Sequence, residues 1–140
     1  MPTSAEPLLL DSSAALAYVS ELNPHHRAVN ARVDGRQLGL AGHAAYETFS
    51  ILTRIPPPAR VNASRAERLL KSSFPETRFM DAQAAGAIVS HFAELGIIGG
   101  AVYDGLVAAA AEAHGLLLLS CDRRALLTYQ ALGVQFEIIV

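Results

Sequence analysis

The chain has little charge and almost no cysteine. Lys, Arg, Asp and Glu make up 17 % of its 140 residues, against about 25 % in an ordinary soluble domain. Hydrophobic residues make up 51 %, which excludes long disordered stretches. A chain of this length is expected to form one domain, residues 1–140. A surface so sparse in charge also implies that a partner covers some of it. The lone cysteine, Cys121, excludes an internal disulfide and gives no sign of an oxidising compartment. No apolar run approaches the roughly 18 residues that suggest a membrane span. The N-terminus has no positive region before its apolar run, and Asp11 interrupts that run, so it is a poor signal peptide. A soluble cytoplasmic protein is the expectation. There are no repeats, and the loop-like Pro56-Pro57-Pro58 is too short for a domain linker. A basic excess is missing as well. The net charge is −2, whereas a nucleic-acid binder is usually basic; the objection weakens if several acids hold cations.

What is present is an alternation of short apolar runs and helical periodicity. Leu8-Leu9-Leu10 reads as a strand buried on both faces, followed by a helix from about Ala14 that Ser12 and Ser13 can cap. Asn23-Pro24 reads as the N-cap and first position of a second helix. Residues 37–41 fit a strand, and residues 43–55 a helix ended by the prolines. Ser64-Arg65-Ala66-Glu67 matches a capping box for a helix to about Ser72. Arg78-Phe79-Met80 fits a third strand, with Asp81 capping a helix over residues 82–95. After the Gly99-Gly100 break come a helix over 101–114, a buried strand over 116–119, a helix over 123–132 and a strand over 134–140. The pattern predicts an α/β fold, a three-layer α/β/α sandwich with a central parallel sheet, in which sites form beyond the carboxyl ends of the strands.

Four of the thirteen acids sit in apolar company: Asp11 after Leu8-Leu9-Leu10, Glu47 in Ala44-Ala45-Tyr46-Glu47-Thr48-Phe49, Asp104 ahead of four alanines, and Asp122 after Leu116-Leu117-Leu118-Leu119-Ser120-Cys121. The other nine lie mostly among polar neighbours. An ionised carboxylate beside apolar packing is costly unless it is paired or bound to metal. The predicted elements allow all four to converge on one edge of the sheet, with no obvious basic partner. Divalent cations would relieve the repulsion, and hard oxygen ligands select Mg²⁺ or Mn²⁺. Phosphodiester hydrolysis is the chemistry that suits such a site.

At these residues the chain resembles a known family. Leu8-Leu9-Leu10-Asp11-Ser12-Ser13-Ala14, the stretch from Tyr46-Glu47-Thr48-Phe49 to Pro56, Gly99-Gly100-Ala101-Val102-Tyr103-Asp104, and Leu118-Leu119-Ser120-Cys121-Asp122-Arg123-Arg124 resemble the four motif blocks of PIN domains, above all the VapC toxins of bacterial toxin–antitoxin pairs. The resemblance implies an Mg²⁺- or Mn²⁺-dependent endoribonuclease held inactive by a small antitoxin. It carries the catalytic and metal-binding roles onto Asp11, Glu47, Asp104 and Asp122, and makes Ser120 a supporting hydroxyl. Together with the low surface charge it also implies a homodimer.

Plainer readings exist for each residue. Asp11 and Asp122 can cap helices, Glu47 can extend from its helix into solvent, and Asp81 is read as a cap. Adjacent His25 and His26 point to different sides of a helix, and His43, His91 and His114 lack zinc-ligand spacing. Cys121 reads as a small buried residue. Residues 54–78 carry Arg54, Arg60, Arg65, Arg68, Lys71 and Arg78 against Glu67 and Glu76. That is either a solvated helix face or an RNA-tracking surface, with Arg54, Arg60, Arg65 and Arg68 as candidate contacts. Two competing functions are a catalytically silent PIN-like interaction module and a phospho-receiver-like domain with Asp11 as acceptor. The receiver fits poorly, because the one lysine is Lys71.

Overall fold

The computed structural model describes residues 6–140. Residues 1–5, where the stretch read as a poor signal peptide begins, lie outside the described residues. Strands β1 (Leu8–Leu10), β2 (Leu38–Leu40), β3 (Leu118–Ser120) and β4 (Phe136–Ile138) form one sheet in the order β2-β1-β3-β4. Every neighbouring pair is parallel, with Leu9 opposite both Gly39 and Leu118. The helices are α1 (Ser12–Val19), α2 (His26–Val33), α3 (Ala44–Arg54), α4 (Ala63–Ser73), α5 (Ala82–Leu95), α6 (Ala101–Ala113) and α7 (Leu126–Ala131).

The unbroken leucine runs follow from strand geometry. Successive side chains point to opposite faces, so a strand covered on both sides must be apolar at every position. Leu8, Leu10 and Leu119 enter one core with Ala14, Val29, Val33 and Phe74. Leu9 and Leu118 enter the other with Val107, Ala108, Ala111 and Tyr129. The α/β/α sandwich expected from the sequence is the fold observed.

The differences lie at element ends, where side chains compete for backbone groups. Asp11, not Ser12 or Ser13, caps α1, its Oδ1 accepting from Ala14 N at 3.0 Å. Asn23-Pro24 does not open α2. Asn23 accepts from His25 N through its side chain (2.9 Å) and from His26 N through its carbonyl (3.0 Å), which makes a turn ahead of the helix. Asn62 caps α4 by accepting from Arg65 N at 2.8 Å, so the helix begins before the Ser64 capping box. Residues 78–80 form no strand, only an Ala41–Arg78 bridge. Glu76 N and Arg78 N donate to Leu38 O and Leu40 O, but between them the Thr77 hydroxyl takes the Leu40 N–H at 3.0 Å in place of a backbone carbonyl. This segment closes on β2 because position 39 is glycine; a Cβ there would run into the Glu76 carbonyl. The helix predicted over 123–132 divides into a 3-10 turn (Arg123–Ala125) and α7. Asp81 caps α5 as expected, accepting from Ala84 N at 2.8 Å. Among the described residues no helix is long and apolar enough to cross a membrane.

Candidate functional site

The strand order places a switch point between β1 and β3. From β1 the chain moves outward to β2, then returns to the other side of β1 for β3. Connections leaving these two strands diverge, and a crevice opens beyond their carboxyl ends. Asp11 follows β1 directly, its N–H bonded to Leu119 O at 3.0 Å, and Asp122 lies two residues beyond the end of β3.

Asp11 is only 4 % exposed. Its Oδ1 accepts from Ser13 Oγ (2.6 Å) and Ala14 N (3.0 Å), and its Oδ2 from the Tyr129 hydroxyl (2.7 Å). Burial still raises its proton affinity, partly offset by these donors. Burial, followed by the Asp11 charge, pushes the Tyr129 hydroxyl far above its usual range, so it remains a donor. Ser13 Oγ also accepts from Cys121 N at 2.8 Å. The Ser13 and Ser120 hydroxyls lie 3.4 Å apart. Ser120 Oγ in turn accepts from Asp122 N at 3.0 Å. Ser13, Ser120 and Tyr129 thus tie the β1 and β3 ends into one polar network.

Asp122 caps the 3-10 turn, and its Oδ1 accepts from Arg124 N (3.0 Å) and Arg124 Nε (3.1 Å). This corrects the expectation of no basic partner, although an almost fully exposed Arg124 offers little net attraction. Asp104 lies in the first turn of α6, and no hydrogen-bond donor reaches its carboxylate among the described residues. Its pKa is pushed up to about 6, first by desolvation and then by the charges of Asp122, Asp11 and Glu47, with Arg124 opposing. Glu47 comes from the first turn of α3. Gly42 lets the turn ahead of α3 lie against α6: its φ is +49°, and a Cβ there would stand 2.8 Å from the Ala110 Cβ.

The structure therefore brings all four predicted acids into mutual electrostatic range at Asp104. It does not close them into a shell: among the described residues no three acid, imidazole or thiol side chains converge tightly on one point. An all-oxygen set of carboxylates is the donor chemistry that suits a hard divalent cation. Cys121 is no part of it, since burial and the Asp11 charge push its thiol up to about 11.

Sequence reasoning missed Ser13, Tyr129 and Arg124. Only Ser13 carried a signal, a second small hydroxyl beside the first acid. Arg54, Arg60 and Arg68 bond locally to Ser50 Oγ, Ile55 O and Ser64 Oγ, and no contact joins these three or Arg65 to the acids among the described residues. Lys71 pairs with Glu67 on the surface of α4, and Asp11 is buried, so a phospho-receiver has neither its lysine nor an accessible acceptor. A groove of about 930 Å³ between α3 and α4 is lined by none of the four acids.

Comparison with known proteins adds independent findings. The PIN domain model matches residues 8–130. The chain is 38 % identical over 128 residues to Ribonuclease VapC27 of Mycobacterium tuberculosis, which spans 91 % of this chain and 93 % of that one. Among solved structures, FitAB bound to an IR36 DNA fragment superposes with a TM-score of 0.65 at 18 % identity, covering 94 % of each chain. VapBC-5 of Mycobacterium tuberculosis, a member of the VapBC family of toxin-antitoxin systems, superposes with a TM-score of 0.54 at 21 % identity, covering 95 % of this chain and 97 % of that one.

Proposed function

This chain belongs to the PIN-domain family, and from that premise we propose that it is a divalent-cation-dependent endoribonuclease, the toxin of a toxin–antitoxin pair. Residues 1–140 act as one nuclease domain working inside the cell. The observation that supports the catalytic reading is the coupling of Asp11, Glu47 and Asp122 to a half-buried Asp104 that has no hydrogen-bond donor among the described residues.

In this reading Asp11, Glu47, Asp104 and Asp122 hold Mg²⁺ or Mn²⁺. When bound, the cation supplies charge neutralisation at the scissile phosphate and acidifies water for attack on phosphorus. The chain supplies the frame. Ser13, Ala14 N and Tyr129 fix both oxygens of Asp11, and Ser120 holds the Asp122 backbone. Asp104, with no donor among the described residues, keeps both oxygens available. Such pre-positioning is what a site without a covalent intermediate contributes.

The partner readings rest on uncovered apolar surface. α5 buries only Phe92 of its fourteen residues, leaving Val89 73 % exposed, with Ile98 just beyond it 76 % exposed. A second copy of the chain is the occupant we assign to that face. The groove between α3 and α4, lined by Phe49, Leu70, Phe74 and Phe79, fits an apolar helix face of a small antitoxin. RNA is the substrate, with Arg54, Arg60, Arg65 and Arg68 as outlying phosphate contacts.

Purified protein is expected to cleave RNA with Mg²⁺ or Mn²⁺ and to stop when a chelator is added. Asp11→Asn, which keeps a capping side chain, should lower the rate at least 100-fold while leaving the circular dichroism spectrum unchanged. Cleavage that survives chelation, or that is unchanged in Asp11→Asn, would sink this reading. No metal-dependent cleavage of any RNA would favour the silent interaction module.

A further inference from the structure

A cleft of about 310 Å³ adjoins the acids, with Asp122 in its wall. That volume is at the low end of small-ligand clefts, about 300–1,000 Å³. Ser13, already bonded to Asp11, also lines it, together with Asn23, His25 and Arg124. Arg124 and His25 have no task in the hydrolytic reading. The Arg124 Nε donates to Asp122 Oδ1 at 3.1 Å, while its Nη1 and Nη2 make no hydrogen bond among the described residues. Arg124 also supplies the positive charge that opposes the acids at Asp104, whereas Arg54, Arg60, Arg65 and Arg68 touch none of them among the described residues. His25 comes from the turn between α1 and α2 and is half-buried. Asn23 fixes that turn by accepting from His25 N at 2.9 Å. The His25 ring itself makes no hydrogen bond among the described residues, in contrast to His26, whose Nδ1 lies 2.7 Å from Ala17 O.

We propose that this cleft seats the RNA phosphate next to the one that is cut, with Arg124 gripping it through Nη1 and Nη2 and His25 donating from the α1–α2 turn. The inference rests on the nuclease reading and deepens it. Cations held by the four acids neutralise the phosphate under attack; the next phosphate along the strand needs a positive group of the chain itself. A guanidinium whose Nε is engaged still presents its outer N–H groups as a planar fork, which matches two phosphate oxygens. The bond to Asp122 thus aims Arg124 without saturating it. Contacts to phosphate carry no sequence information and fix the register of the strand, which here means which bond lies at the carboxylates.

The test uses the full chain as Asp104→Asn with Mg²⁺, and end-labelled random-sequence single-stranded RNA followed by fluorescence anisotropy over a range of salt. Adding Arg124→Ala should weaken binding about tenfold or more. It should also lower the slope of log Kd against log salt by about 0.7, the share of one phosphate on a single strand. Arg124→Lys should keep the slope and recover part of the affinity, since it keeps the charge and loses the fork. His25→Ala should weaken binding severalfold. Arg123→Ala, which removes an exposed charge outside the cleft, should change neither affinity nor slope. With Asp104 restored, Arg124→Ala should raise KM by a similar factor and leave the calorimetric affinity for Mn²⁺ undiminished. Parent-like affinity and slope in Arg124→Ala, or equal losses in Arg123→Ala, would overturn the phosphate seat and leave the nuclease standing. So would RNA binding lost only in step with Mn²⁺ affinity, which would make Arg124 a prop for Asp122. Arg124-dependent binding by a parent that cleaves no RNA would overturn the nuclease and leave the seat.

Discussion

At the scale of single residues, Asp11 and Asp104 show how one sheet edge makes two different carboxylates. Asp11 is buried but held by three donors; Asp104 is half-buried and held by none. The consequence for stability has a definite sign. Asp104 binds a proton more tightly in the folded chain (pKa about 6) than at its ordinary value of 3.8. Without cation, its contribution is therefore greatest below about pH 4 and is lost as pH rises through 6. The shift at Asp11 acts in the same direction. Asp104→Asn should flatten this dependence and raise the cation-free melting temperature at pH 7 by a few degrees. A melting temperature at pH 7 below that of the parent would contradict the repulsion. The four acids were legible in the sequence because charge stood out against apolar neighbours. Tyr129 was not, because a tyrosine in a helix next to a core strand looks like packing until its hydroxyl is placed on Asp11.

At the scale of elements, the sequence showed the kinds of structure better than their ends. The buried strands and the long helices were legible because their apolar periods are unbroken. The ends were not, since several capping residues stood side by side, as at Asp11-Ser12-Ser13 and at Asn62 ahead of Ser64, and geometry alone chose among them. The expected strand at residues 78–80 stops at Arg78, whose carbonyl accepts from Gly42 N, because the partner segment then turns into α3. The turn ahead of α3 lies against α6 at Gly42, which needs both its positive φ and its missing Cβ. Gly42→Ala should cost more than 1 kcal/mol of stability, seen as a lower denaturation midpoint. A shift at the start of α3, which carries Glu47, should also weaken cation binding. An unchanged midpoint would mean the turn and α6 are not locked at this point.

At the scale of the whole molecule, the site is a product of topology. Asp11, Glu47, Asp104 and Asp122 span most of the chain, and they meet because β1 and β3 are neighbours at a switch point while α3 and α6 converge on the same edge. The low charge that stood out in the composition matches an α5 face left apolar and uncovered. The weak overall negative charge is no obstacle to RNA once four of the acids are counted as cation ligands. The central claim is that these four acids form one divalent-cation site, and calorimetric titration of the metal-free protein with Mn²⁺ tests it most directly. Saturable binding with proton release near pH 6 is expected, weakened at least tenfold in Asp104→Asn and likewise in Asp122→Asn. Equal affinity in the parent and both variants would contradict it.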